Sequence, residues 1–305
     1  MLHGRCLCGA IRYQHGGEHG VLSICHCGMC RRWHGSLGAY VGGDRGDYRL
    51  EGEEHLRWYA SSADAERGFC GLCGSKLFWR LKDGIAMDIT AGSVDQPIGL
   101  ATTAHIWVRD KGDYYGLPGD APCFVLSAGE APQETDPCSP AARDVPERRG
   151  QCLCGGVAFT VRGKMRDVVW CHCSQCLHWH GHFGGYTAST WANIALRGAE
   201  KIAWYKSSDN ARRGFCRDCG SSLFWEGVGR DYVSIAAKAL LPGSIREHDH
   251  VIGLGLVLFG AEYASQKRPS PEHIEPLPRD FRSGEPLWSG IAAAVIEIFS
   301  RQNGG

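Results

Sequence analysis

The sequence predicts two tandem copies of a small, mostly β module, followed by a short C-terminal helix. Three observations support this fold class. A cysteine pattern occurs twice, short β-branched and aromatic segments alternate with glycines and serines, and 43% hydrophobic residues allow each half to bury a core. A chain of 305 residues has room for two domains of ordinary size.

The repeat becomes visible when Cys6 is aligned with Cys152, an offset of 146 residues. Seven cysteine pairs share this offset without any insertion: Cys6/Cys152, Cys8/Cys154, Cys25/Cys171, Cys27/Cys173, Cys30/Cys176, Cys70/Cys216 and Cys73/Cys219. The segments Arg67-Gly68-Phe69 and Leu77-Phe78-Trp79 also recur. Because the register never shifts, chance does not explain the pattern, and the chain contains two copies of one module.

Composition suggests the domain boundaries. We predict a first module over residues 1–120, a Pro-rich linker over 121–149, a second module over 150–266, and a Pro-rich tail with a C-terminal helix over 267–305. Prolines cluster between Pro118 and Pro146, which is typical of a semi-rigid linker. Apolar residues at helical spacing within 287–301 predict an amphipathic helix.

Local patterns within each module favour strands. Candidate strands are Ile11–Tyr13, Leu37–Val41, Leu77–Trp79 and Ile85–Ile89 in the first copy and Val157–Val161 in the second. These segments are rich in β-branched and aromatic residues, and glycines and serines interrupt them at short intervals. This spacing predicts a small all-β module and not a βαβ unit.

Charge and hydropathy exclude several classes of protein. The chain has 33 basic and 33 acidic residues, and this balance argues against nucleic acid or an anionic membrane as the main partner. No apolar run reaches the roughly 18 residues of a membrane span, and the N-terminus lacks a signal-peptide pattern. We therefore expect a soluble, cytoplasmic protein, whose many cysteines are reduced and serve as metal ligands.

Two short cysteine pairs in each copy predict a closed structural zinc site. Cys6-x-Cys8 and Cys70-x-x-Cys73 together supply the four thiolates of a tetrahedral site. The equivalent ligands in the second copy are Cys152, Cys154, Cys216 and Cys219. Such a site joins segments that are distant in sequence, and it contributes folding free energy to a module with a limited core.

The remaining three cysteines predict a second zinc site that is open. The candidate metal-binding and catalytic residues are Cys25, Cys27 and Cys30 in the first copy and Cys171, Cys173 and Cys176 in the second. Three protein ligands leave the fourth position to water or substrate, as in catalytic zinc sites. Alternatively, His34 and His180, each four residues after the last cysteine, close the sites. The chain is thus expected to bind four zinc ions, two per module.

The cysteine motifs resemble those of the glutathione-dependent formaldehyde-activating enzyme family, which includes centromere protein V. The resemblance rests on Cys6-x-Cys8-Gly9, Cys25-His26-Cys27-x-x-Cys30-Arg31-Arg32 and Gly68-Phe69-Cys70-x-x-Cys73-Gly74-Ser75, and it covers nearly all of 1–120 and most of 150–263. It implies a β-tent fold, a structural zinc on the outer cysteine pairs and a catalytic zinc on the middle three cysteines.

The resemblance implies carbon–sulfur lyase chemistry, the joining of formaldehyde and glutathione into S-(hydroxymethyl)glutathione, with a small thiol and an aldehyde as substrates. One alternative is a non-catalytic zinc scaffold that binds a partner, as the centromere-protein members of the family suggest. Another is a redox-sensing thiol protein that loses zinc on oxidation. The sequence leaves all three open.

The two copies differ at positions that suit an anionic substrate. Arg31 and Arg32 are the candidate substrate-binding residues, because glutathione carries carboxylates that cations bind, although each arginine alone is as readily a surface residue. In the second copy these positions hold Leu177 and His178. Lys76 likewise becomes a serine, so we expect the first copy to bind the substrate while the second packs on it and covers it.

Overall fold

The computed structural model describes residues 1–95, 99–112, 115–117, 119–126 and 146–240. The predicted C-terminal helix, the tail around it and most of the Pro-rich linker lie outside these residues. The described part is mostly β, as predicted, and consists of two sheet-rich halves that repeat one arrangement. Among the described residues, no helix is long and apolar enough to cross a membrane.

The described residues of the first copy form ten strands and one α-helix. The strands are β1 (Leu2–Arg5), β2 (Arg12–His15), β3 (Leu22–Cys25), β4 (Gly38–Val41), β5 (Tyr48–Glu51), β6 (Leu56–Ala60), β7 (Ala65–Cys70), β8 (Lys76–Leu81), β9 (Met87–Thr90) and β10 (Thr102–Ile106). The helix α1 (Gly28–His34) lies between β3 and β4. A three-stranded sheet has the order β1-β2-β5, and a seven-stranded sheet has the order β10-β3-β4-β9-β8-β7-β6.

The described residues of the second copy repeat this topology for every strand except β10. Its strands are β11 (Glu147–Gln151), β12 (Ala158–Arg162), β13 (Val169–Cys171), β14 (Gly184–Ser189), β15 (Ile194–Arg197), β16 (Ile202–Ser208), β17 (Ala211–Cys216), β18 (Ser222–Gly227) and β19 (Val233–Ala236), and its helix is α2 (Ser174–His180). The sheets have the orders β11-β12-β15 and β13-β14-β19-β18-β17-β16. Strand β11 begins at Glu147, ahead of the predicted module start at residue 150.

The short helices α1 and α2 were not predicted as helices. Each begins directly after the second cysteine of the three-cysteine motif and ends at a glycine in the left-handed region, Gly35 (φ 71°) and Gly181 (φ 74°). Glycine adopts this conformation without the penalty that a Cβ imposes, so it ends a helix readily. With seven residues each, the helices are too short to show a clear hydrophobic period.

A buried aromatic cluster joins the two copies. Trp33 and Phe69 of the first copy pack with Trp179 and Phe215 of the second, and all four side chains are almost fully buried. Each such side chain stabilises the folded state by ~1.5–3 kcal/mol through removal of apolar surface from water. The contacts occur in pairs that follow the sequence repeat: a Cβ at Gly74 would lie 2.5 Å from Phe215, and a Cβ at Gly220 would lie 2.5 Å from Phe69.

Candidate metal centres

The outer cysteine pairs form one compact cluster of four sulfurs in each copy. The Sγ atoms of each set, Cys6, Cys8, Cys70 and Cys73 or Cys152, Cys154, Cys216 and Cys219, all lie within 4.8 Å of one another. The Cys6–Cys8 and Cys8–Cys70 Sγ distances are 3.4 and 3.8 Å, and the Cys152–Cys154 and Cys154–Cys216 distances are 3.4 and 3.7 Å. A tetrahedral zinc with Zn–S bonds of about 2.3 Å places its sulfurs ~3.8 Å apart, so these donors fit zinc.

Backbone geometry holds the four sulfurs of each closed cluster. The second cysteine pair lies in the turn between β7 and β8, where Gly74 (φ 78°) takes the left-handed conformation and its N–H donates to the Cys70 carbonyl. The Leu7 N–H donates to Ser75 Oγ at 2.8 Å, and this hydrogen bond connects the segments of the two cysteine pairs. The Ile11 N–H donates to Cys6 Sγ at 3.3 Å. A backbone N–H that donates to a cysteine sulfur, as that of Ile11 does, stabilises the thiolate, which is the form that binds metal.

The middle three cysteines form a second sulfur cluster in each copy. Cys25, Cys27 and Cys30 have Sγ atoms within 4.8 Å of one another, and so do Cys171, Cys173 and Cys176. In the first copy Cys25 ends β3, Cys27 caps α1 and Cys30 lies in its first turn, so one strand–helix junction supplies all three sulfurs. No histidine or carboxylate joins either cluster among the described residues.

His34 and His180 are engaged elsewhere and are not placed as fourth ligands. His34 Nδ1 lies 2.5 Å from the His180 carbonyl oxygen, and His34 Nε2 lies 2.7 Å from the Tyr40 hydroxyl. His180 makes the equivalent contacts with the His34 carbonyl and with Tyr186. Burial lowers the pKa of His34 to about 3, so the ring is neutral at physiological pH. The structure thus favours the alternative in which the three-cysteine clusters are open.

His26, which lies between Cys25 and Cys27, points away from the sulfurs. Its Nδ1 lies 2.7 Å from the Tyr115 hydroxyl and its Nε2 lies 3.0 Å from His105 Nδ1. Burial lowers the pKa of His26 to about 2. In the second copy, His172 packs against Phe183.

A buried arginine contacts the last cysteine of each three-cysteine cluster. Arg67 Nη2 donates to Cys30 Sγ at 3.5 Å, and Arg67 Nη1 donates to the Tyr40 hydroxyl at 2.9 Å. Arg213 makes the same contacts with Cys176 (3.7 Å) and with Tyr186 (3.0 Å). The tyrosines were missed in the sequence, although they recur at the same offset of 146 residues as the cysteines.

The thiols of each three-cysteine cluster share hydrogen bonds that favour one thiolate. Hydrogen bonds from Cys25 and Cys27 hold the pKa of the Cys30 thiol well below its ordinary value, and the positive charge of Arg67 lowers it further. In the second copy, hydrogen bonds from Cys171 and Cys176 lower the pKa of Cys173 to about 2. One thiol of each cluster therefore ionises more readily than an isolated cysteine, and a metal cation stabilises the resulting thiolate.

A cavity of about 530 Å³ opens onto the first three-cysteine cluster. Its wall includes all three cysteines, Tyr40 and Arg67, together with the indole rings of Trp79 and Trp107. Its floor is one face of the large sheet, since Arg67 on β7 pairs with Trp79 on β8, which pairs with Asp88 on β9. Burial raises the pKa of Asp88 to about 6.

The arginines and the lysine that were considered for substrate binding lie in different environments. Arg32 lies in the cavity wall, whereas Arg31 is buried and is not among the described residues that line the cavity. The expectation that Lys76 binds an anionic substrate is wrong. Its side chain is fully buried between the copies, where Nζ donates to the Gly74 carbonyl at 2.7 Å and to Ser222 Oγ at 2.5 Å.

The fold and the clusters define a cysteine-rich, tandem β protein with four candidate metal centres. The model of the glutathione-dependent formaldehyde-activating enzyme family matches residues 1–110 and 147–251, more than half of the chain. The chain therefore belongs to this family, in two tandem copies.

Two curated proteins are similar to parts of the chain. An uncharacterized lyase of Schizosaccharomyces pombe is 32% identical over 124 residues, which cover 40% of this chain and 90% of that protein. A protein of Halomonas elongata, provisionally named a glutathione-dependent formaldehyde-activating enzyme, is 33% identical over 86 residues, or 26% of this chain and 55% of that protein. A crystal structure of a Rhodobacter sphaeroides protein covers 30% of this chain and 85% of its own, with 22% identity and a TM-score of 0.26.

Proposed function

We propose that the chain is a zinc-dependent carbon–sulfur lyase-type enzyme that joins or separates a small thiol and an aldehyde, with glutathione and formaldehyde as the pair that the family name suggests. The observation that carries this proposal is the cavity of about 530 Å³ whose wall contains three clustered sulfurs and a cation, Arg32. A closed metal site that served only to hold the fold would not need such an opening.

Cys25, Cys27 and Cys30 would hold the metal. Zinc bound there would lower the pKa of a substrate thiol and keep it as a nucleophilic thiolate. In the joining reaction the thiol sulfur adds to the aldehyde carbon, a C–S bond forms, and the former carbonyl oxygen takes up the proton that the thiol releases. The separating reaction reverses each of these changes.

The residues around the cavity support this chemistry in distinct ways. Arg67 and Tyr40 fix the position of Cys30. Arg32 supplies positive charge for a substrate carboxylate. Asp88 lies in the same wall, and because burial raises its pKa to about 6, it exchanges a proton near neutral pH and is our candidate for the proton transfer.

The second copy keeps the arginine–tyrosine pair, as Arg213 and Tyr186, but it lacks the cation and the carboxylate of the cavity. At the positions of Arg32 and Asp88 it has His178 and Ser234. His178 Nε2 is 3.1 Å from Asp95 Oδ1 of the first copy, so this side chain is used in the contact between the copies. We therefore propose that the first centre performs the reaction and that the second binds metal and supports the first.

The test compares Cys30→Ser with Cys176→Ser, with zinc counted in each variant and the enzymatic rate measured above the spontaneous reaction of glutathione with formaldehyde. We expect Cys30→Ser to abolish the enzymatic rate and Cys176→Ser to reduce it only slightly. Equal losses would show that the copies are functionally equivalent.

A second measurement separates the enzyme from a scaffold. Cobalt replaces zinc in the full chain, and glutathione is titrated while the thiolate absorption bands are recorded. We expect the bands to change as glutathione binds. An unchanged spectrum, together with no rate above the spontaneous one, would support a scaffold and refute the proposed reaction.

A further inference from the structure

A tryptophan of each copy is anchored on the closed cysteine cluster of the other copy. Trp33 Nε1 donates to the Cys219 carbonyl oxygen at 2.8 Å, and Trp179 Nε1 donates to the Cys73 carbonyl oxygen at 2.7 Å. Both indole rings are fully buried. Cys219 and Cys73 belong to the four-cysteine clusters, so the position of each indole ring depends on the position of the closed cluster in the other copy.

Each tryptophan also packs against the arginine that contacts the open cluster of its own copy. The Arg67 guanidinium lies 5.3 Å from the centre of the Trp33 ring, and that of Arg213 lies 5.1 Å from the centre of the Trp179 ring. The face of an indole attracts a cation, so a fixed ring fixes the guanidinium. Arg67 in turn donates to Cys30 Sγ. A continuous set of contacts thus leads from Cys219 of the second copy to Cys30 of the first.

The two histidines at the ends of α1 and α2 form a second link of the same kind. A carbonyl oxygen only accepts hydrogen bonds, so His34 Nδ1 must carry the proton that it donates to the His180 carbonyl. In the neutral ring Nε2 then accepts from the Tyr40 hydroxyl. The Tyr40 proton is therefore committed to His34, and Arg67 is the donor that faces Cys30. His180 makes the equivalent link to the His34 carbonyl.

We propose that each three-cysteine centre is held in its working geometry by the closed cluster of the other copy, with Trp33 and Trp179 as positioning residues that act through Arg67 and Arg213. The first centre is therefore incomplete without the second copy, whose closed cluster acts on it through Trp33 and Arg67. The proposal concerns the reactivity of the thiols, so it stands or fails independently of the proposed reaction.

The experiment measures the rate at which iodoacetamide labels individual cysteines in the full chain purified without chelator, with the labelled peptides resolved by mass spectrometry. Trp33→Phe removes the hydrogen bond to Cys219, and we expect it to raise the labelling rate of Cys30 about fivefold, as the loss of one hydrogen bond predicts. Labelling of Cys176 should not change. Trp179→Phe should give the reverse pattern.

The crossed link is tested with Cys154→Ser, which weakens the closed cluster of the second copy at its partly exposed ligand. We expect Cys30 labelling to rise more than Cys176 labelling, although Cys176 belongs to the altered copy. In the double variant with Trp33→Phe, Cys30 should be labelled no faster than in the faster single variant, because both changes break one set of contacts.

Trp58→Phe is the matched control. Trp58 also packs against an arginine, Arg80, but that arginine donates a hydrogen bond to Glu66 and not to a cysteine. It should leave Cys30 and Cys176 labelling unchanged. The proposal is overturned if Trp33→Phe leaves Cys30 unchanged or accelerates both cysteines equally, or if the effects of Trp33→Phe and Cys154→Ser on Cys30 multiply. If Cys154→Ser unfolds the second copy, the two tryptophan variants still decide the matter.

Discussion

Replacing Lys76 by Met should change how the stability of the protein depends on pH. The Lys76 side chain is fully buried between the copies, and this burial lowers its pKa from 10.5 to about 7, although the sulfurs of Cys73 and Cys219 oppose the shift. Between these pH values the unfolded chain binds one more proton at this position than the folded chain. Stability therefore rises with pH across this window.

The size of the effect follows from the shift. A fall in pKa from 10.5 to about 7 corresponds to ~5 kcal/mol of unfavourable free energy when the ammonium is charged in the folded state. This cost is fully present below pH 7 and disappears as the pH approaches 10.5, at about 1.4 kcal/mol per pH unit. Met has nearly the same shape and no charge, so the variant lacks this contribution at every pH.

The assay is urea unfolding of the wild type and Lys76→Met at several pH values between 7 and 10. We expect the stability of the wild type relative to the variant to increase steadily with pH. Titratable groups far from Lys76 affect both proteins alike and cancel in the difference, whereas any change in the titration of Cys73 and Cys219 is part of the measured effect of the buried lysine. Lys206→Met is the control, because Lys206 is exposed beside Asp209 and should not alter the slope. Parallel curves for wild type and Lys76→Met would refute the buried-ammonium argument.

Three further predictions follow from the clusters and the contact between the copies. Protein purified without chelator should contain four zinc ions per chain by elemental analysis, one for each cluster, and a value near two would mean that the open centres hold none. Cys70→Ser should unfold the first copy, whereas Cys30→Ser should leave its circular dichroism nearly unchanged; equal unfolding would contradict the division into closed and open sites. Gly74→Ala should lower the free energy of unfolding by ~3 kcal/mol, because a Cβ there meets Phe215 in a left-handed turn. Gly229→Ala, which has a similar φ and no atom within 4 Å of its Cβ, should cost only ~1 kcal/mol, and equal losses would show that Phe215 yields without cost.

The cysteine clusters could be predicted from the sequence because their signal is local and repeated. The spacing within a cysteine pair such as Cys70-x-x-Cys73 is set by a backbone turn, and the constant offset of the repeat shows which cysteine pairs are equivalent. The strands could be predicted for a similar reason, since the alternation of residue types along Val157–Val161 follows directly from the pleat of a sheet.

The environment of Lys76 and His34 could not be predicted, because it depends on how the two copies pack. Their partners, Ser222 and the His180 carbonyl, lie 146 residues away and belong to the other copy. A lysine near a cysteine motif has the same local pattern whether it faces a substrate or a neighbouring copy. The position of Asp88 in the cavity wall was missed for a related reason: only the sheet register brings it to the cavity beside Trp79.

The contact between Lys76 and Ser222 joins two positions that are equivalent in the repeat. In a dimer of identical subunits, a residue on the symmetry axis meets a copy of itself, so a lysine there would place two ammonium groups in one buried space. Covalent fusion removes this restriction, since the two sides of the axis are encoded separately. The second half of this chain therefore cannot be exchanged for a duplicate of the first without placing two lysine side chains against each other in one buried space, so the difference between the two halves is part of the fold.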